Sequence, residues 1–163
     1  MLAQKQVARY ALNGIMVMML LFCAGLIWRS FTPDLMSKRD LQINGAMLLH
    51  TPTALTDFQL VDHLNQPFSL DRLKGIWSII FFAFTSCPDI CPTTLSTLNS
   101  VYNQLSEEEQ SNLQVYMVSL DTDHDTPERL ALYVPYFNSD FVGITGDQGS
   151  VGNLATQLNV AYK

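Results

Sequence analysis

The sequence predicts an α/β domain carried behind an N-terminal membrane-spanning segment. Three stretches lead there. Ile79-Ile80-Phe81-Phe82-Ala83-Phe84 is an apolar run with no alternation, as expected of a strand covered on both faces. It stops at Thr85-Ser86, and Cys87-Pro88-Asp89-Ile90-Cys91-Pro92 leads into a helical pattern. Leu113–Leu120 is a second such run, and Ala11–Trp28 is apolar apart from Asn13. The 163 residues suffice for one domain plus an appendage, and the composition is globular.

Taken in order, Ala11–Trp28 follows Lys5 and Arg9 and precedes Arg29. At about 1.5 Å per residue it reaches most of a hydrocarbon core of roughly 30 Å. It fits a cleaved signal peptide, a lipoprotein signal or an uncleaved anchor. No small-x-small site follows it, and Phe22 before Cys23 is too bulky for lipoprotein processing. The expectation is a signal anchor over residues 1–29 with its amino terminus cytoplasmic, although Arg29, Lys38 and Arg39 weaken the charge bias. Residues 30–49, with Pro33 and Gly45, suit a tether, and the domain is expected over residues 50–163.

Phe58–Leu70 reads as a hairpin turning at Asn65-Gln66-Pro67, and Asp71–Gly75 as a turn into the strand that begins at Trp77. Pro92 belongs in a first helical turn, where a missing N–H costs nothing. Leu95, Leu98, Val101, Tyr102 and Leu105 then share one helical face. Ser106–Gln110 reads as a solvated loop or frayed helix end. A right-handed crossover makes the Leu113–Leu120 strand parallel to the first, so Asp121–Asp125 lies on the edge that carries the cysteines. Asp125 or Thr126 caps a helix opened by Pro127, with Leu130, Leu132, Val134 and Phe137 apolar and Pro135 ending or kinking it. Phe141–Gly146 is a short strand and turn, 152–157 a helical stretch, and Asn159–Tyr162 the start of an extended segment.

Net charge is −6, and from Asp40 onward 14 acidic residues face only Arg72, Lys74, Arg129 and Lys163. Such a domain repels phosphate backbones, which disfavours nucleic-acid binding. Three cysteines are too few for a disulfide-stapled scaffold. Cys23 falls in the apolar segment, while Cys87 and Cys91 stand together where a strand hands over to a helix N-terminus. That position stabilises thiolate and brings two sulfurs within a few ångströms. Metal binding by Cys87 and Cys91, thiol-disulfide exchange with Cys87 attacking and Cys91 resolving, and a structural disulfide all remain open.

A hairpin followed by strand, cysteines, helix, strand and helix is a thioredoxin-like plan. Within it, Phe84–Pro92, Ser119-Leu120-Asp121 with Asp125-Thr126-Pro127, and Phe141–Gly146 resemble the SCO/SenC family of membrane-anchored copper chaperones for cytochrome c oxidase. The resemblance spans about Asp57 to Lys163. It implies a thioredoxin-like fold, copper held by Cys87 and Cys91, and delivery to the dinuclear copper site of the oxidase's copper-bearing subunit. It also implies a bacterial inner-membrane chain with its domain in the periplasm, or an equivalent space, served by a thiol reductant protein. Soft thiolates select Cu(I), and the prolines hold the loop near its metal-bound shape. The family's third ligand is a histidine downstream of the stretch present here, and its closing strands and helix also lie beyond it, so the chain is expected to be truncated at its C-terminus. Asn138 stands where relatives often carry another histidine. A membrane-anchored oxidoreductase that keeps the oxidase cysteines reduced is the alternative, and a non-functional remnant the second.

The remaining signals are weaker. His124, at the site edge, is a substitute third ligand or a solvated loop histidine, and His50 and His63 have surface roles. Asp121-x-Asp123-x-Asp125 lacks the glycine and glutamate of a calcium loop and is expected to cap a helix and face water. Met16, Met18 and Met19 are expected to face lipid, Asp89 to tune a thiol or be solvated, and Glu107–Glu109 to be a solvated face.

Overall fold

The computed structural model describes residues 2–31, 37–46, 49 and 51–161; in the first two helices side chains are described at 10, 13–29 and 39–43. The side chains of Lys5, Arg9 and Lys38, and Pro33, His50 and Tyr162 altogether, lie outside that set. The chain divides into two compact units, Met1–Pro52 and Thr53–Lys163.

In the first unit α1 runs over Leu2–Phe31. All its described side chains are exposed, Met16, Met18, Met19 and Cys23 included. Among the described residues no helix is long and apolar enough to cross a membrane. The expected tether holds a short helix, α2 (Lys38–Ile43). Ser37 caps it: its Oγ accepts from the Asp40 N–H at 3.2 Å, and the Asp40 carboxylate accepts from the Ser37 N–H at 3.3 Å.

The second unit is a mixed five-stranded sheet, order β2-β1-β5-β4-β3, in an α/β fold. β1 (Leu60–Asp62) and β2 (Pro67–Phe68) form the predicted hairpin. Pro67 begins β2, at the sheet edge where its missing N–H does no harm, and Asn65 takes the positive φ (59°) of the turn. A 3₁₀ turn over Leu70–Leu73 leads through Gly75 (φ 80°) into β3 (Trp77–Ala83). β3 pairs in parallel with β4 (Leu113–Ser119), from Trp77 opposite Leu113 to Ala83 opposite Ser119. β5 (Val142–Thr145) lies between β4, to which it is parallel, and β1, to which it is antiparallel.

Side chains alternate across β4 into two cores. Val115 and Met117 join Leu95, Tyr102, Leu130, Val134 and Phe141 on one face. Tyr116 and Val118 join Phe58, Leu60, Phe68, Ile144, Val151 and Leu154 on the other. Burial on both faces explains the unbroken apolar run. Among the described residues β3 pairs only with β4 and so stands at an edge of the sheet, and Trp77 is 79% exposed, although the apolar run led us to expect a strand covered on both faces. An apolar run reports strand propensity, not the number of neighbours.

The helices refine the sequence reading. α3 (Ile90–Tyr102) ends before Leu105; Leu95 and Tyr102 are buried, but Val101 is exposed. Where a solvated loop or frayed helix end was expected, α4 (Glu107–Ser111) forms a separate short helix, because Ser106 and Glu109 make a reciprocal capping box. α5 (Pro127–Phe137) is capped by Thr126 and runs two residues past Pro135, since a proline in the last turn withholds only one helical hydrogen bond. Leu130 and Val134 face the core, whereas Leu132, halfway between them in sequence, is exposed. A Cβ on Gly143 of β5 would sit 3.0 Å from Leu130 Cβ, so glycine lets α5 rest on the sheet. α6 (Gln148–Gln157) begins earlier than expected because Asp147 caps it, accepting from the Ser150 N–H at 2.9 Å. Among the described residues after it, 160 and 161 form no strand.

Candidate metal centre

Cys87 and Cys91 flank the start of α3. The Cys87 N–H donates to the Phe84 carbonyl at 3.2 Å, closing a tight turn directly after β3. Asp89 is the N-cap residue, and Cys91 lies in the first helical turn with Pro92 after it. Both thiols are free and buried, at 8% and 4% residue exposure. They share the core formed by α3, β4 and α5.

The pair is electrostatically unequal. Cys87 is held below the ordinary thiol range, first by hydrogen bonding from the Cys91 side chain, against a burial penalty, and then by the backbone N–H groups of Cys91, Asp89 and Ile90. Cys91 is pushed up to about 11, first by burial and then by Cys87. Cys87 therefore ionises first, and the open end of a helix supplies the donors that hold the charge. Asp89 acts through its amide rather than its exposed side chain. Two adjacent soft sulfurs, one of them poised to ionise, suit a thiophilic metal ion and equally suit reversible closure into a disulfide.

The loop before Cys87 is pinned from β4. Asp125 is fully buried, and its carboxylate accepts from the Thr85 N–H at 2.8 Å, from the Thr85 hydroxyl, and from the Ser119 hydroxyl at 2.6 Å. Arg129 covers it, with Nε 3.7 Å from the carboxylate and donating to Thr85 Oγ1 at 2.7 Å. The expectation that Asp125 faces water is overturned, because its oxygens find three donors inside the protein. Asp123 is exposed and Asp121 half-buried.

His124 is not brought to the thiols: its Nδ1 lies 2.7 Å from Asp121, which raises its pKa. Among the described residues no three His, Cys, Asp or Glu side chains gather to hold a metal ion. His63 is half-buried rather than on the surface, and its Nδ1 accepts from the Gly143 N–H at 2.8 Å. Asn138 caps the end of α5 and donates to Asn99 of α3 at 2.8 Å. Glu107 and Glu108 are exposed as expected, while Glu109 also closes the cap of α4.

Sequence reasoning missed Thr85, Ser119 and Arg129 as supports, and it missed Tyr133. Among the described residues the buried Tyr133 hydroxyl has no hydrogen-bond partner, although its ring packs against the core that holds both cysteines. Such an unpaired donor costs about 1–3 kcal/mol. The signal for the Asp125 clamp was the parallel pairing, which sets Ala83 beside Ser119 and so brings Thr85 close to the loop after β4.

The family model described as SCO1/SenC matches residues 48–163. A Stutzerimonas stutzeri protein named for copper binding is 39% identical over 132 residues, covering 80% of this chain and 65% of that protein. A SCO2-like protein of Rickettsia conorii is 37% identical, covering 65% of this chain and 51% of that one. The chain thus spans between half and two thirds of these relatives. Among solved structures, apo Sco1 from Thermus thermophilus superposes with a TM-score of 0.65 at 35% identity, covering 71% of this chain and 66% of that one. Copper-bound yeast Sco1 gives 0.64 at 33% identity, covering 69% and 62%.

Proposed function

The chain belongs to the SCO1/SenC family, and on that premise we propose that it is a copper metallochaperone whose Cys87 and Cys91 carry Cu(I) to the dinuclear copper site of cytochrome c oxidase. The observation that carries the reading is the pair of free thiols at the mouth of α3, one held low by backbone donors and the other pushed high. Soft, partly ionised sulfur in a buried loop favours a monovalent soft cation over hard ions. The copper-bound relatives support the same cargo. The oxidase's copper-bearing subunit is the partner, and a thiol reductant protein keeps the pair open in an oxidising space. The apolar segment within residues 1–29 anchors the chain in the bacterial inner membrane, 30–49 tether it, and residues 50–163 work in the periplasm or an equivalent space.

The test is a Cu(I) titration of the reduced full chain in detergent against a competing chelator. One-to-one binding that Cys87→Ser and Cys91→Ser each weaken by at least a hundredfold supports it. Binding by the folded wild type no tighter than by Cys87→Ser refutes it.

The inequality of the two thiols favours a second reading, a thiol-disulfide reductase. The Cys87 thiolate attacks a partner disulfide, forming a mixed disulfide and releasing one partner thiolate. Cys91 then loses its proton and attacks Cys87, releasing the second thiolate and leaving the pair oxidised by two electrons. Cys91→Ser would trap the mixed disulfide; its absence after incubation with oxidised oxidase subunit counts against this reading.

A further inference from the structure

α5 turns two large apolar side chains into water, Leu132 at 82% and Tyr136 at 84% exposure. They lie four residues apart, and Glu128, also exposed, stands four residues before Leu132. Side chains at that spacing form one row along a helix, with about 6 Å between successive members. The row points away from Leu130 and Val134, which α5 buries in the core. The Tyr136 ring meets the Phe137 ring edge-on, 5.3 Å between centroids, and Phe137 packs on that core, which steadies the exposed ring. Single exposed apolar residues are ordinary; a leucine and a steadied aromatic in one row make a contact surface.

The chemistry of the row matches itself. Leu132 has a carboxylate four residues before it and a phenol four residues after it. Laid antiparallel on a second copy, with a two-fold axis at Leu132, the row sets leucine on leucine and each Tyr136 level with the other copy's Glu128. A phenol O–H donates well to a carboxylate. Glu128 has acceptor capacity left, since Asn65 Nδ2 makes only a long contact with it at 3.4 Å and a carboxylate accepts about four hydrogen bonds. Aligning two rows of this spacing is also the commonest way that helices pack. The axis holds the two carboxylates about 12 Å apart, beyond a screening length of roughly 8 Å in physiological salt, so the acidic chain does not oppose the contact there. We propose that α5 is the contact of a weak two-fold homodimer, in which the Glu128–Leu132–Tyr136 row packs antiparallel on the same row of a second copy. The contact is isologous and therefore closes at two copies. It does not rest on the copper reading, because neither thiol takes part.

The test is sedimentation equilibrium of the full chain in density-matched detergent at protein concentrations up to about 1 mM, as suits a small, weak contact. Every variant carries Trp77→Arg, so that association through the β3 edge does not contribute, and is first shown to melt as its parent does. The parent should pass from monomer to dimer with rising concentration. Leu132→Glu should weaken dimerisation at least tenfold, since it enters the contact twice. Tyr136→Glu, which sets two carboxylates against each other, should do the same. Adding Glu128→Arg to Tyr136→Glu should restore dimerisation to within about threefold of the parent, because only this register brings positions 128 and 136 together. A parent that stays monomeric would overturn the proposal and leave the row to a different protein. A dimer indifferent to Leu132→Glu would overturn it too, and so would a failure of Glu128→Arg to rescue Tyr136→Glu.

Discussion

β3 and β4 are parallel neighbours of equal length and similar apolar composition, yet they do different work. β4 lies inside the sheet with both faces covered, and Met117 is fully buried. Among the described residues β3 pairs along one edge alone, and Trp77 and Ile79 are exposed. The exposed strand nevertheless delivers the two thiols. The buried one delivers the loop whose Asp125 holds the turn before them. Stability and chemistry are thus carried by adjacent strands and joined at one end of the sheet, through Thr85.

The sharpest way to break that contrast is to truncate matching positions. Met117→Ala should cost about 3–4 kcal/mol, since a buried methionine leaves a cavity between α3 and α5; chemical denaturation measures it. Asp125→Ala should follow at roughly 2–3 kcal/mol, because three donors lose their acceptor at once. It should also speed alkylation of Cys87 by loosening the turn that shields it, whereas Met117→Ala should destabilise without that selective effect. Equal alkylation rates in wild type and Asp125→Ala would mean that the clamp does not reach the thiols.

A pH series separates the thiols from the strand that presents them. Cys91 ionises more easily in the unfolded chain than in the fold. Its contribution is therefore complete below the ordinary thiol pKa of roughly 8.5 and is lost as pH rises toward about 11. Cys87 runs the other way: its contribution is present above the ordinary value and is lost as pH falls through its depressed one. Stability of the reduced protein should decline through the upper window, and Cys91→Ser should flatten the decline. A decline unchanged by that substitution would place its origin elsewhere.

Ile79→Ala on β3 should cost only about 1 kcal/mol, because the side chain is partly in water already. Trp77→Arg should change stability by less than about 0.5 kcal/mol, while charging an open sheet edge and so lowering self-association in sedimentation. A large loss from either substitution would show that this edge is covered in solution.

Much of the fold was legible because local rules agreed with the tertiary outcome. The Asn65 turn, the helix cap at Thr126-Pro127 and the two apolar runs each carry their own signal. Helix starts were missed where capping was the only cue, as at Ser106/Glu109 for α4 and at Asp147 for the first turn of α6. Leu132 was misplaced because an apolar side chain on a helix need not share the buried face of its neighbours. At the site, the cysteine pair announced itself by spacing and by the proline that follows. The clamp did not, since Ser119, Asp125 and Arg129, which hold Thr85, lie 32 to 42 positions beyond Cys87.

By itself the sequence determined that two thiols stand where a strand becomes a helix, because strand propensity, helix initiation and the reach between neighbouring residues are local properties. Only the tertiary structure decided that β3 is an edge, that Asp125 is buried and that His124 turns to Asp121 rather than to sulfur. Those outcomes depend on which distant groups compete for the same acceptor and the same dry volume, and no local pattern records that competition.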